Sequence, residues 1–269
     1  MTSIEERLQV VVLKCPYANW KNPVTRKTFN DVISLKLDGY HDKHFFGVMP
    51  IDGADFLTDH ILVCWRDDSG DLVPILGVKS LSYEICAPFF TDFTIESFLK
   101  KGEHWQHLER LNQILKSCEE KKQRISYYSS WTISPSVMDN RALITLLKDL
   151  FTACTVLHHR EEGISELLGL GVPKFRTEHF FYKWGFERVE QCGHGLPNIP
   201  FRVLGGIDGV FIHLKKYSDF ALSCAEKLEH FWKNRISIGV SPRFTDKLSS
   251  QVQIPERKTG AASSSVDLL

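Results

Sequence analysis

The chain has 269 residues, 43% hydrophobic and 25% charged, the balance of an ordinary globular protein with a sizeable core. Lysine plus arginine equals aspartate plus glutamate at 33 each, so no basic excess points to nucleic acid or an anionic membrane as partner. The first residues carry no basic-then-apolar leader, and no apolar run approaches the roughly 18 residues of a spanning helix. A cytoplasmic protein without a membrane span is expected.

In chain order, Leu8–Leu13 is a short apolar strand, expected at a sheet edge or within an N-terminal extension over residues 1–24. Residues 25–45 space Phe29, Val32, Ile33, Leu35 and Leu37 as a weakly amphipathic helix ending at Gly39. Residues 49–60 are rich in aspartate and turn formers. Residues 61–65 and 72–81 predict a hairpin joined by turn chemistry at 66–71, with Glu84 on the outgoing strand. Residues 103–122 predict a helix with Trp105, Leu108, Leu111, Ile114, Leu115 and Cys118 on one face.

The best-patterned stretch is 125–190. A strand ends at Pro135, and the turn 138–141 follows. A helix over 142–159 then places Leu143, Leu147, Leu150, Phe151, Cys154 and Leu157 near 3.6-residue spacing. A second apolar run, 164–172, reads as a strand, and a short helix over 176–184 is closed by Gly185, as a left-handed cap requires. Strand, helix, strand, helix predicts two parallel neighbours joined by a right-handed crossover. Beyond lie a strand at 187–191, a hairpin at 201–214 and a helix at 219–232. From Ser241 on, serine, lysine and small residues dominate. Residues 241–269 are expected to be a disordered tail, because they cannot bury enough apolar surface to offset ordering entropy.

Seven cysteines, odd in number and without a Cys-x-x-Cys pair, fit neither a disulfide framework nor a zinc site. Cys154 is expected to be a small buried hydrophobe. His158, His159 and His179 can act as bases or ligands, but no second ligand stands at metal spacing. Surface histidines and no metal are expected. The Asp52, Asp55, Asp59 set suits an acidic turn beside Gly53 and equally a cation or amine.

The strand–helix–strand–helix order, ending in Phe180-Phe-Tyr-Lys-Trp-Gly-Phe186, resembles the C-terminal half of the GNAT acyltransferases. The block Asp52-Gly-Ala-Asp55 through Trp65, then Asp67-Asp-Ser-Gly70 and Gly77-Val-Lys79-Ser-Leu81, resembles a divergent GNAT branch, the acyl-homoserine-lactone synthases and N-acyl amino acid synthases. Together these cover about residues 25–215. The resemblance implies a mixed α/β GNAT-like fold over 25–240 with a twisted central sheet. It also implies acyl transfer from an acyl thioester, acyl-CoA or acyl carrier protein as co-substrate, to a small amine, with no permanently bound cofactor. Tyr182 stands where the family sometimes keeps the acid that protonates the leaving thiolate, and a half-buried aromatic fits there as well. Ile133, Ser134 and Ser136 fall where the splayed strand meets the pantetheine arm, though serines capping a strand stopped by Pro135 also fit.

From the residues themselves, Asn140 and Arg141 start a helix whose N-terminus favours an anion, or simply cap it. Glu84 is a candidate base or a solvated strand-edge carboxylate. The chain departs from the family at three places. Lys79 replaces the strand's arginine, keeping charge but losing the bidentate fork. The carboxylate expected near Ser129 to Ser134 is missing. Residues 138–141 offer no glycine for a pyrophosphate loop. The missing carboxylate and the missing glycine loop favour the alternative, a catalytically inactive GNAT-like binding or regulatory module.

Overall fold

The computed structural model describes residues 4–42, 51–201 and 206–240. The expected disordered tail lies outside the described residues. Among the described residues, nine strands build one mixed sheet in the order β11-β1-β2-β3-β4-β5-β10-β6, with β9 paired to β10. Their ranges are β1 Leu8–Leu13, β2 Asp59–Arg66, β3 Leu72–Ser82, β4 Arg124–Ile133, β5 Ile164–Gly171, β6 Glu187–Arg188, β9 Ile199–Phe201, β10 Ile207–Leu214 and β11 Ile236–Ile238. β7 Glu190–Gln191 and β8 His194–Gly195 form a separate small hairpin. β4 and β5 run parallel, as do β1 and β11; the other pairs are antiparallel.

Helices cover both faces. α1 Pro23–Asp42 lies over β1 to β3, with Phe29 and Val32 packed against Leu62 and Cys64. α2 Thr94–Lys101 and α3 Trp105–Glu120 close the same side further along, around Phe93, Leu111, Ile125 and Phe211. The opposite face carries α4 Arg141–Glu162, α5 Thr177–Trp184, α6 Asp219–Lys227 and α7 Glu229–Lys233 over a core that includes Phe151, Trp184 and Ile212.

Local chemistry explains the main boundaries. α1 opens on Pro23, whose missing N–H and fixed φ suit a first helical turn. It continues past Gly39 because that glycine is a contact, not a stop: a Cβ there would stand 2.3 Å from Thr132 Cγ2 of β4. α4 is capped by the Asn140 side chain, which accepts from the Leu143 N–H at 3.0 Å. α5 stops at Gly185, φ +105°, where a Cβ would meet the Lys216 carbonyl at 2.5 Å.

Several expectations are corrected. β1 is interior, not an edge, because β11 pairs along its free side. The helix expected over 219–232 is two helices that meet at Leu228. The turn seats Trp232 so that its indole donates to Glu161 Oε2 on α4 at 3.0 Å. Trp105 starts α3 and is 62% exposed. Cys154 is buried, as the helix period implies, and of the seven thiols only Cys192 is exposed. His158 and His159 are buried, not on the surface, because α4 is covered by α6 and α7 as well as by the sheet.

Candidate active site

β4 organises the site. Its pairing with β5 runs from Arg124↔Ile164 to Tyr128↔Gly169 and stops there, while its pairing with β3 continues to Ile133↔Leu76. Ser129 to Ile133 therefore have no ladder partner on the β5 side. The departure coincides with a register shift against β3 and with Ser130 in the left-handed region, φ +56°. An inserted kink of this kind bends and re-aims a strand. On the splayed half, Ser129 Oγ and Trp131 Nε1 are buried without a hydrogen-bond partner, and such orphan groups call for an explanation.

The chain then turns sharply. Ser134 N–H donates to the Ile75 carbonyl at 2.8 Å, and Ser134 Oγ meets Ser136 Oγ at 2.8 Å. Asn140 and Arg141 follow at the start of α4. The structure thus brings Ile133, Ser134, Ser136, Asn140 and Arg141 into one short segment between the splay and a helix N-terminus. α5 lies against the same segment: the Trp131 ring stacks on Phe180 at 5.1 Å and meets Phe181 edge-on at 5.8 Å. Tyr182, next along α5, is half-buried, and burial pushes its hydroxyl above the ordinary phenol range. Between α4 and α5 opens a cavity of about 390 Å³ lined by Lys148, Arg176, Lys183 and His179, with Asp149 the one carboxylate.

On the α1 side, a charged network that sequence reasoning saw only in part abuts β4. Asp52 and Asp55 form a reciprocal cap: Asp55 N–H donates to Asp52 Oδ1 and Asp52 N–H to Asp55 Oδ2. Lys36 from α1 pairs with Asp55 Oδ1, and Lys79 from β3 sits 3.0 Å from Asp52 Oδ1 and 3.4 Å from Asp55 Oδ2. Lys36, Asp55 and Lys79 are each at most 3% exposed, whereas the Asp52 side chain is half-exposed. Burial alone would raise the Asp55 pKa, but the two ammonium groups outweigh it and hold the carboxyl below its usual range. Burial, then the Lys36 charge, pushes His60 down to about 3, so the neutral ring donates from Nε2 to the Asp55 carbonyl at 2.8 Å. The Tyr40 hydroxyl hydrogen-bonds Ser130 at the bulge and so joins the network to the splay. Lys79 is also the ladder partner of Ser129.

Lys36 and Tyr40 were missed, yet the sequence held a signal. Lys36 falls seven residues after Phe29 and four after Val32, on the apolar stripe of α1. A lysine at that position needs a buried carboxylate.

Two sequence-stated positions need correction. Glu84 lies not on a strand but in a one-turn 3-10 helix after β3. There it faces Arg124 Nε at 3.7 Å, and burial pushes its carboxyl up. It lines a cavity of about 550 Å³ at the Arg124 end of β4. Ile133 is nine residues on, about 30 Å away at strand rise, so Glu84 is not brought to the splay. Asp59 stands apart from Asp52 and Asp55: it accepts from the Cys15 N–H at 3.2 Å and faces His158.

No protein-family model matches the sequence, and a search of curated proteins finds no match. Solved structures do match. The CoA-dependent acyl-homoserine lactone synthase BjaI superposes with a TM-score of 0.51 at 12% identity, over 88% of this chain and 95% of its own. An acyl-CoA N-acyltransferase from Pseudomonas aeruginosa gives 0.42 at 13%, over 77% and 99%. FeeM, an N-acyl amino acid synthase from uncultured soil microbes, gives 0.39 at 10%, over 85% and 95%. At such identities the likeness is one of fold, and the BjaI superposition carries it. The chain has the acyl-CoA N-acyltransferase fold, in the divergent form seen in the acyl-homoserine lactone synthases.

Proposed function

We propose that this chain is an N-acyltransferase that moves an acyl group from an acyl thioester, on CoA or a carrier protein, to a small amine. The observation that carries the reading is the splayed half of β4, lying between a basic α4–α5 cleft on one side and the buried Lys36–Asp55–Lys79 network on the other. The open edge from Ser129 to Ile133 receives the thioester arm as an added strand would be received, by backbone pairing. The α4 N-terminus, Arg141 and the lysines of the cleft suit the donor's phosphate or an acidic carrier surface. Asp52, half-exposed beside Lys79, is the carboxylate placed to receive the acceptor as its ammonium. In the reaction the acceptor ammonium first loses one proton to water. The free amine nitrogen then bonds to the carbonyl carbon, the C–S bond breaks, the nitrogen gives up a second proton to water, and the leaving thiolate takes up one proton. Tyr182, kept protonated by its surroundings, supplies that proton.

The test is thermal unfolding with CoA, acetyl-CoA, a long-chain acyl-CoA and an acylated carrier protein, followed by thiol release with candidate amines. A ligand at about 100 times its dissociation constant adds roughly 2.7 kcal/mol. Stabilisation by an acyl thioester together with amine-dependent thiol release supports the reading. Stabilisation without release assigns the fold to binding alone, the role that the glycine-free α4 start favours. No shift with any of the four removes both.

A further inference from the structure

Away from the splay, three side chains from two elements converge behind the sheet. Asp59 opens β2, and His158 and Glu162 stand one turn apart near the end of α4. One ligand atom from each lies within 4.8 Å of the others. His158 Nε2 is 3.8 Å from Asp59 Oδ2, too long for a hydrogen bond. It is close to the roughly 3.3 Å that separates donors set at about 2.0 Å around a tetrahedral ion. The Cys15 N–H holds the other Asp59 oxygen, Oδ1, at 3.2 Å, which leaves Oδ2 directed at the imidazole.

The surroundings supply one movable cation. Lys14 Nζ meets Glu162 Oε1 at 2.5 Å, and the two side chains are 15% and 11% exposed, so the lysine sits at the rim with a path to water. Arg124 is tied to the Glu162 backbone carbonyl. Arg235 is held by Glu161 at 2.6 Å and by the Trp232 ring. His159 binds the Tyr217 hydroxyl. Trp232 closes over His158 edge-on at 6.0 Å.

We propose that Asp59, His158 and Glu162 form a site for a divalent transition-metal ion of the zinc class, which displaces the Lys14 ammonium when it binds. Two carboxylates and a neutral imidazole balance a dication, whereas with Lys14 in place they keep one negative charge over. His158 is buried, and its Nε2 faces Asp59 Oδ2 at 3.8 Å, so an imidazole nitrogen is offered to the same point as the two carboxylates. Three protein ligands leave a fourth position for water. The ion would tie the β1–β2 end of the sheet to α4 without using any group of the splay.

The test is calorimetric titration of the chelator-treated full chain with Zn²⁺ at pH 7.5, with Co²⁺ as a spectroscopic probe of tetrahedral coordination. Wild type is expected to bind one ion per chain. Lys14→Met should tighten binding at least tenfold, and His158→Gln should weaken it at least tenfold. If His158→Gln does not fold, Glu162→Gln at the half-buried rim takes its place with the same expectation. Binding that these variants leave within twofold lies elsewhere on the chain and overturns the proposal. So does a wild type that fails to bind, including the case in which only Lys14→Met binds, which would assign the seam to the lysine.

Discussion

From Ser126 to Tyr128, β4 is hydrogen-bonded on both sides, to β3 and to β5; from Ser129 to Ile133 only β3 remains. The paired end is laid on Ile125 and Tyr127, each at most 6% exposed, and its charged neighbour is the half-exposed pair Glu84–Arg124. The splayed end carries orphan donors, a left-handed serine and a network of nearly dry charges. Within one ten-residue strand, the regular half provides stability and the irregular half provides open backbone and fields. Strain and unsatisfied polarity are tolerated where surrounding structure over-determines them, and such places are where sites are built.

The contrast can be broken most sharply at Asp55. Asp55→Ala leaves Lys36 buried with its partner gone and Lys79 with only the half-exposed Asp52, and the unfolding free energy should fall by about 3–5 kcal/mol. Urea denaturation with an unchanged m-value would show it, and a loss under about 1 kcal/mol would mean that water or Asp52 already satisfies the lysines.

Acid should draw on both ends. His60 beside the splay is held at about 3, His158 behind the paired end at about 4, and His159 well below 6.5, all chiefly by burial. The unfolded chain takes up protons near 6.5 that the native state refuses. This stability is therefore complete above about 6.5 and lost as pH falls toward the folded values. Each histidine contributes about 1.4 kcal/mol per pH unit in that window, so unfolding free energies at pH 7.5 and 5.5 should differ by about 4 kcal/mol, read as a shift of the denaturation midpoint. Equal midpoints would show that these rings are not dry.

Smaller effects sharpen the assignment of chemistry. Tyr182→Phe should lower turnover by about 100-fold while leaving the melting temperature within a few degrees, the scale of a lost general acid; full activity would remove Tyr182 from that role. Ser130→Val should cost about 1–3 kcal/mol, because a β-branched side chain resists a positive φ, while Ser130→Gly should be tolerated by the fold. Glu84→Gln, at the far end of β4, should leave turnover within twofold, and a large loss there would move the chemistry away from the splay.

What the sequence determined by itself was local. The period of Leu143, Leu147, Leu150, Phe151 and Cys154 fixed α4 and its buried face, and Gly185 fixed the end of α5, because helix period and caps are set by residues within a turn of one another. The parallel β4–β5 pair followed from element order and crossover handedness. The segment 133–141 was legible as one unit because it is continuous.

Tertiary structure alone decided the rest. The loss of β5 pairing after Tyr128 depends on register, which no single strand encodes. In isolation the same residues read as one strand running on to Pro135. Lys36, Asp55 and Lys79 come from a helix, a turn and a strand, and only folding shows that a lysine on an apolar stripe meets a carboxylate. Asp59 and His158 are 99 positions apart, so their approach leaves no spacing to read. Burial then turned the α4 histidines from expected surface groups into neutral interior ones. That desolvation is a property of α4, α6 and α7 packed together, not of the dipeptide His158-His159.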